Sequence, residues 1–337
     1  MRITALAGGV GGARFLRGLL HHLDSRPPAA GDGPHEVIVI GNTADDVTLH
    51  GLRICPDLDT VMYTLGGGIH PEQGWGRAGE TFGVAAELEA YGAEPQWFTL
   101  GDRDIATHLV RTRMLGLGYP LSAVTEALCA RWQPGVRLLP MSDDPIETHV
   151  VIDDPDADPA PDGSPAVKAV HFQEWWVRLH AAAPARQILA VGIDQAKPAP
   201  GVLDAIAGAD VVVLPPSNPV VSIGTILAVP GIRDAIRATR APVVGVSPII
   251  GGAPVRGMAD ACLTAIGVET SAAAVADLYA DFLGGWLVAP GDHGSVMPDD
   301  VALRAVPLLM TDLEATAAIA GAALDLAQEL AGESAGR

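Results

Sequence analysis

Short apolar runs alternate along this chain with polar, glycine-rich turns. Residues 2–7 are an apolar run of strand length; Gly8, Gly9, Gly11 and Gly12 follow, and 13–20 reads as helix. After a Pro- and Gly-rich loop over 24–35, a second strand is predicted at 37–40. A helix opens at Pro56 with Val61, Met62 and Leu65 as its apolar face, and Gly66-Gly67-Gly68 ends it. Further helices are predicted at 81–91 and 120–133. A short strand at 98–100 runs into a helix on which Asp104, His108 and Arg111 share a face by i, i+4, i+7 spacing. Residues 148–152 and 167–172 read as a hairpin whose polar tip, 153–165, has little tendency to order by itself. The second half alternates strands (188–191, 211–214, 243–246, 286–288, 305–309) with helices (202–207, 231–239, 259–266). A last helix begins at a Thr311-to-Glu314 capping box and runs to about residue 330. Such alternation predicts an α/β protein: a Rossmann-like parallel sheet with helices on both faces, with an inserted smaller α/β segment. One domain spans 1–337, with nucleotide-binding elements at 1–60 and 188–310 and the insertion at about 61–180.

Strand, glycine turn and helix together aim backbone N–H groups at an anion. Glycine lets a phosphate approach where no Cβ intervenes; the other reading is a plain tight turn. Gly12-Ala13-Arg14 stands where a Walker loop needs Gly-Lys-Ser/Thr, and Arg14 stands where a dinucleotide fingerprint needs its third glycine, which disfavours an NAD-dependent dehydrogenase. Asp45, Asp46, Asp57 and Asp59 fall in two loops after the second strand. Oxygen ligands in such numbers suit Mg²⁺, which takes one or two carboxylates plus phosphate and water. Turn and cap roles are the alternative, and the better reading for Asp57 after Pro56. Residues 215–224 and 247–252 place Pro, Ser and Asn after strands, where a base or phosphate can dock or a stiff loop can form. His108 reads first as a helix-face partner of Asp104. No Gly-x-Ser-x-Gly elbow supports a hydrolase nucleophile.

At 49% hydrophobic residues over 337 positions, a substantial core is expected. No apolar run is long enough to span a membrane, and no secretion signal opens the chain. Cys55, Cys129 and Cys262 are scattered, as reduced thiols of a cytoplasmic protein are. A net charge of −19 argues against a nucleic-acid polymer as partner. It also requires any phosphate site to compensate with backbone dipoles, placed arginines or a divalent cation.

Seven stretches carry a resemblance: Gly8 to Phe15, Asn42 to Asp46, Pro56 to Thr60, Gly74-Trp75-Gly76, Leu100 to Asp104, Pro216 to Pro219 and Ser247 to Ile250. In order, over nearly the full length, they resemble the 2-phospho-L-lactate transferase (CofD) family, most closely its actinobacterial, phosphoenolpyruvate-transferring members. The resemblance implies a step in building coenzyme F-420. The acceptor would be 7,8-didemethyl-8-hydroxy-5-deazariboflavin, and the donor a guanosine diphosphate bearing enolpyruvate or lactate. The ribityl hydroxyl would attack the outer phosphorus and GMP would leave. The actinobacterial likeness points to enolpyruvate. On this expectation Gly9, Gly11 and Gly12 cradle the diphosphate, Asp45 and Asp46 hold Mg²⁺, and Asp59 orients or deprotonates the attacking hydroxyl. Asp45 and Asp59 are then the candidate catalytic residues. Asn42, Thr43, Asp59, Trp75, Thr99, Ser217 and Asn218 complete the substrate-binding set. Family likeness places deazaflavin near Asp59 and Thr99; Ser217 and Asn218 are expected near the guanosine or its phosphate. A homodimer is the default for such enzymes. The glycine turn and the Ser-Asn-Pro segment also resemble the gluconeogenesis-factor family of nucleotide-sugar-binding regulators; Gly74-Trp75-Gly76 and the run from Asp57 to Thr60 favour the transferase.

Overall fold

A computed structural model describes residues 1–26, 33–158, 162–294, 298 and 300–335. Its first half contains β1 (Arg2–Ala7), α1 (Gly9–Ser25), β2 (Glu36–Gly41), the hairpin β3 (Val47–Leu49) and β4 (Leu52–Ile54), α2 (Pro56–Leu65), α3 (Gly83–Ala90), α4 (Asp102–Gly116), α5 (Leu121–Trp132) and β5 (Arg137–Pro140). Then come β6 (Glu147–Asp153), β7 (Val167–His171), β8 (Gln187–Val191), α6 (Val202–Ala207), β9 (Val211–Leu214), α7 (Ile223–Ala228), α8 (Ile232–Ala238) and β10 (Val243–Val246). The chain closes with β11 (Ile249–Ile250), β12 (Ala253–Pro254), α9 (Ala259–Ala265), α10 (Ala272–Asp277), β13 (Gly285–Val288), β14 (Ala302–Ala305) and α11 (Leu313–Ala335).

The central sheet has seven strands in the order β14-β13-β10-β9-β1-β2-β5, every pair parallel. Strands buried on both faces read as continuous apolar runs, and β9, β10 and β13 are buried at every position. Alternate side chains of β1 feed two cores. Ile3, Ala5 and Ala7 meet α1, α2, α5 and α11 on one face, whereas Leu6 meets α6, α7, α8 and α10 on the other. From β1 the chain first builds outward to β2, then returns to lay β9 on the opposite side. The carboxyl ends of β1 and β9 therefore form the topological switch point, where open α/β sheets bind ligands.

Several expected elements lie elsewhere. The predicted strand at 188–191 does not join the parallel sheet; β8 pairs antiparallel with β6, which also pairs with β7. Its partial exposure suits that smaller sheet, and the expected hairpin of 148–152 and 167–172 is its other part. The small sheet covers a separate core of Val150, Ile152, Val170, Phe172 and Trp175. Residues 98–100 form a loop, because Phe98 and Leu100 pack onto the β3–β4 hairpin instead of pairing. β5, within the predicted insertion, edges the main sheet, and the final strand lies at Ala302–Ala305 instead of 305–309. The last helix is capped by Asp312, whose Oδ1 accepts from Ala315 N at 2.8 Å, and not by Thr311. Parts of the predicted loop 24–35 and of the tip 153–165 lie outside the described residues. No helix among the described residues is long and apolar enough to cross a membrane.

Candidate active site

At the switch point Gly8 follows β1 in extended conformation, and α1 begins at Gly9 with φ +63°. Gly9, Gly11 and Gly12 thus stand in the first turn of the helix and not in a free loop. Across the switch point, the Ser217 hydroxyl donates to Gly8 O (2.9 Å) and accepts from Gly8 N (3.2 Å). A Cβ at Gly11 would lie 2.4 Å from the Pro216 carbonyl oxygen, and one at Gly12 2.5 Å from Ser217 Oγ. These glycines are thus required first by the protein's own loop, which covers one side of them. Gly9, Val10 and Gly11 stay half-buried, and amides of a first helical turn have no carbonyl partner within the helix.

Asn42, at the end of β2, ties three segments together. Its Nδ2 donates to Asp57 Oδ2 (2.9 Å) and Val221 O (3.2 Å); its Oδ1 accepts from Ala44 N (3.0 Å) and Thr225 Oγ1 (2.9 Å). Gly41 makes this approach possible, since a Cβ there would lie 2.5 Å from Leu58 of α2. Asp57 stands in the first turn of α2, as the Pro56-Asp57 pair predicts, and its carboxylate also accepts from Asn42 and from the Gly9 amide.

Asp57, Asp45, Asp46 and Asp59 form a buried acidic row. Burial, then the charge of Asp57, pushes Asp45 well above the ordinary carboxylate range. Burial raises Asp46 to about 7 against the pull of Arg53, whose Nη2 lies 3.5 Å from Asp46 Oδ2. Burial raises Asp57 to about 6, with the Asn42 and Gly9 hydrogen bonds opposing it. Asp45 Oδ1, Asp46 Oδ1 and Asp59 Oδ2 have no hydrogen-bond partner, nor has the buried Thr43 hydroxyl, and Asp46 Oδ2 is met by the Arg53 ion pair without a hydrogen bond. Such orphans cost free energy unless something outside the chain fills their lone pairs. Among the described residues no three His, Cys, Asp or Glu side chains converge to enclose a metal. What the row offers is one or two carboxylates, the share Mg²⁺ takes from a protein when phosphate and water supply the rest.

Behind Asp59, α2 and α4 face each other through polar side chains. Arg111 is buried; its Nη2 donates to Asp59 Oδ1 and its Nη1 to His108 Nδ1 (3.0 Å) and Arg53 O (3.3 Å). Burial lowers and the Asp59 charge raises the Arg111 pKa, and the net shift is upward. His108 Nε2 lies 3.4 Å from Asp104 Oδ2, and Tyr63 OH donates to Asp104 Oδ1 at 2.6 Å. The i, i+4, i+7 face was legible; its convergence on Asp59 and Tyr63 of another helix was not.

The remaining predicted residues stand apart or are internally satisfied. Asn218 Oδ1 accepts from Val220 N and Val221 N, closing the turn before α7. Trp75 is 52% exposed on a loop whose Gly74 lies against Val10 of α1 and Arg256. Thr99 is exposed on the loop before α4. Of the Leu100–Asp104 motif, Asp102 caps α3 through Gly83 N and Val84 N, while Glu80 returns the favour to Arg103 N and Asp104 N of α4. The motif thus fixes two helix starts. Arg53, which the sequence reading passed over, bridges Asp46 and Glu147.

Fold and site define a Rossmann-like α/β protein with a buried row of carboxylates at its switch point. The sequence profile of the family described as 2-phospho-L-lactate transferase CofD matches residues 3–300. The phosphoenolpyruvate transferase of Thermobifida fusca (strain YX) is 66% identical over 334 residues, covering 98% of this chain and 99% of that one. Its counterpart in Mycolicibacterium smegmatis is 58% identical over 332 residues, with 97% and 99% covered. A crystal structure of a UPF0052-family protein from Bacillus halodurans shares the fold, with a TM-score of 0.58 at 18% identity over 96% of this chain and 99% of the other. The chain belongs to the 2-phospho-L-lactate transferase (CofD) family and is a group-transferring enzyme of coenzyme F-420 biosynthesis.

Proposed function

We propose that the enzyme moves a phosphoenolpyruvyl group from a guanosine diphosphate-linked donor to 7,8-didemethyl-8-hydroxy-5-deazariboflavin, releasing GMP. The ribityl hydroxyl oxygen forms the new bond to the outer phosphorus, the bond to the bridging oxygen breaks with its electron pair going to GMP, and the hydroxyl proton passes to Asp59 or to water. The observation that carries the choice of donor is the near full-length identity, 66% and 58%, to proteins named phosphoenolpyruvate transferases. Phosphoryl transfer asks mainly for positioning and charge neutralisation. The half-buried amides of Val10 and Gly11 in the first α1 turn suit the diphosphate, whereas the Gly9 amide, expected to join them, is held by Asp57. The orphaned oxygens of Asp45 and Asp46 would hold Mg²⁺. Once bound, the cation would neutralise charge on the phosphate oxygens. Asp59, gripped through Oδ1 by Arg111, keeps Oδ2 free to accept the acceptor hydroxyl's hydrogen bond. The satisfied side chains of Ser217 and Asn218 act by shaping the crevice wall. A homodimer and a cytoplasmic location belong to the same proposal.

Mass spectrometry of the product made from the enolpyruvyl and the lactyl donor tests the reading. Enolpyruvyl transfer should dominate; exclusive use of the lactyl donor overturns it. Deazaflavin fluorescence should respond to the protein, whereas a nucleotide-sugar-binding regulator would ignore the dye. Asp45→Ala should abolish turnover without unfolding the chain. Near-normal activity of that variant across a Mg²⁺ titration refutes the metal assignment.

A further inference from the structure

The buried chain Asp59–Arg111–His108–Asp104–Tyr63 has a directional build. Asp59 and Tyr63 stand one turn apart on α2; Asp104, His108 and Arg111 stand on one face of α4. Because Arg111 Nη1 donates to His108 Nδ1, the ring's own hydrogen sits on Nε2, facing Asp104. Asp104 is fixed in turn by Tyr63 OH at 2.6 Å, and the Tyr63 ring packs on Trp132 at 4.8 Å between centroids. The far end of the chain is thus anchored in the core. At its near end, Asp59 Oδ1 is committed to Arg111, while Oδ2 is buried, has no hydrogen-bond partner and lies 3.8 Å from His108 Nδ1.

A buried ion pair is a poor way to join two helices, since apolar side chains of similar volume often do as well or better. What it supplies here is orientation. The planar guanidinium holds Asp59, His108 and the Arg53 carbonyl at once, so the carboxylate cannot turn about its bond to Cβ without breaking the fork. We infer that Arg111, set by His108, Asp104 and Tyr63, is a positioning residue that fixes Asp59 with Oδ2 toward the acceptor hydroxyl. This rests on the proposed role of Asp59 and adds to it the device that makes the role possible.

Arg111→Lys keeps a positive charge but loses the fork. Its kcat should fall about 100-fold, the scale of a misplaced catalytic group, with KM for the donor within roughly twofold of wild type. His108→Gln, which can still accept from Arg111 and present an N–H toward Asp104, 3.4 Å from the wild-type ring nitrogen, should recover kcat lost in His108→Ala. Tyr63→Phe should lower kcat less than either. All rates are taken per folded molecule, well below each variant's melting midpoint. A folded Arg111→Lys enzyme with wild-type kcat overturns the inference, as does a His108 pair whose midpoints fall while kcat holds. Asp59→Asn separates the two layers. Wild-type kcat in that variant sinks the reading of Asp59 itself; loss there beside full activity in Arg111→Lys sinks the positioning role alone. Combining Asp59→Asn with Arg111→Lys should lower kcat no further than Asp59→Asn does.

Discussion

Asp46 and Asp57 show what it costs to assemble an acidic site in a buried place. Both carboxyls titrate near 4 in an unfolded chain, and at about 7 and about 6 in the folded one. Between those values the native state holds more protons than the unfolded state, so stability falls as pH rises. The contribution of the protonated carboxyls is fully present below about pH 4 and lost by about pH 7. The proposed divalent cation would bind the ionised forms and relieve their repulsion. Added Mg²⁺ should therefore raise the melting midpoint little at pH 5 and most at pH 8, an increment that Asp45→Asn removes. Thermal melts with and without Mg²⁺ at the two pH values check this; an equal increment at both places the cation elsewhere. At this scale the acidic residues were legible because carboxylates after a strand imply a charge to be met. The glycines were legible as a place of close approach, but not for what approaches. A bare Cα admits a phosphate and the Pro216 carbonyl equally well, and only the fold brings Pro216 there.

Among elements, the strands that sequence reading located best are those buried on both faces, because their apolar runs are uninterrupted: β1, β2, β9, β10 and β13. β5, with only Leu138 and Leu139 apolar before Pro140, is too short to signal itself, yet it edges the main sheet. β8 gave a strand signal but no sign of its partner, since a run such as Ile188-Leu189-Ala190 fits either sheet. Strand pairing across long separations also creates a contact that closes the switch point. Ser217 uses both functions of its hydroxyl on Gly8, joining the end of β1 to the loop after β9. Ser217→Ala leaves a buried N–H and C=O without partners, a loss of about 1–3 kcal/mol. Urea denaturation should show that destabilisation, with KM for the donor changed little. A large rise in KM at unchanged stability would mean instead that the hydroxyl contacts substrate.

For the whole molecule the dominant electrostatic fact is a net charge of −19, carried by an enzyme whose proposed donor is itself an anion. Arg53 and Arg111, the cations beside the acidic row, are already paired with Asp46 and Asp59, so the site's positive charge is largely spent locally. At distances beyond the crevice, the donor therefore meets the field of the body. That field is screened over about 30 Å at 0.01 M salt and about 10 Å at 0.1 M. Electrostatically steered enzymes lose association rate as salt is added; here the sign should reverse. With free Mg²⁺ held constant, kcat/KM for the donor should rise from about 0.01 to about 0.1 M monovalent salt, while kcat stays level because the contacts at phosphorus are short-range. Steady-state kinetics across that range decides the matter. A fall in kcat/KM would show that the crevice projects a positive field past the acidic surface. The compensation would then lie in the exposed Arg256 beside the start of α1, and not in a cation captured by Asp45 and Asp46.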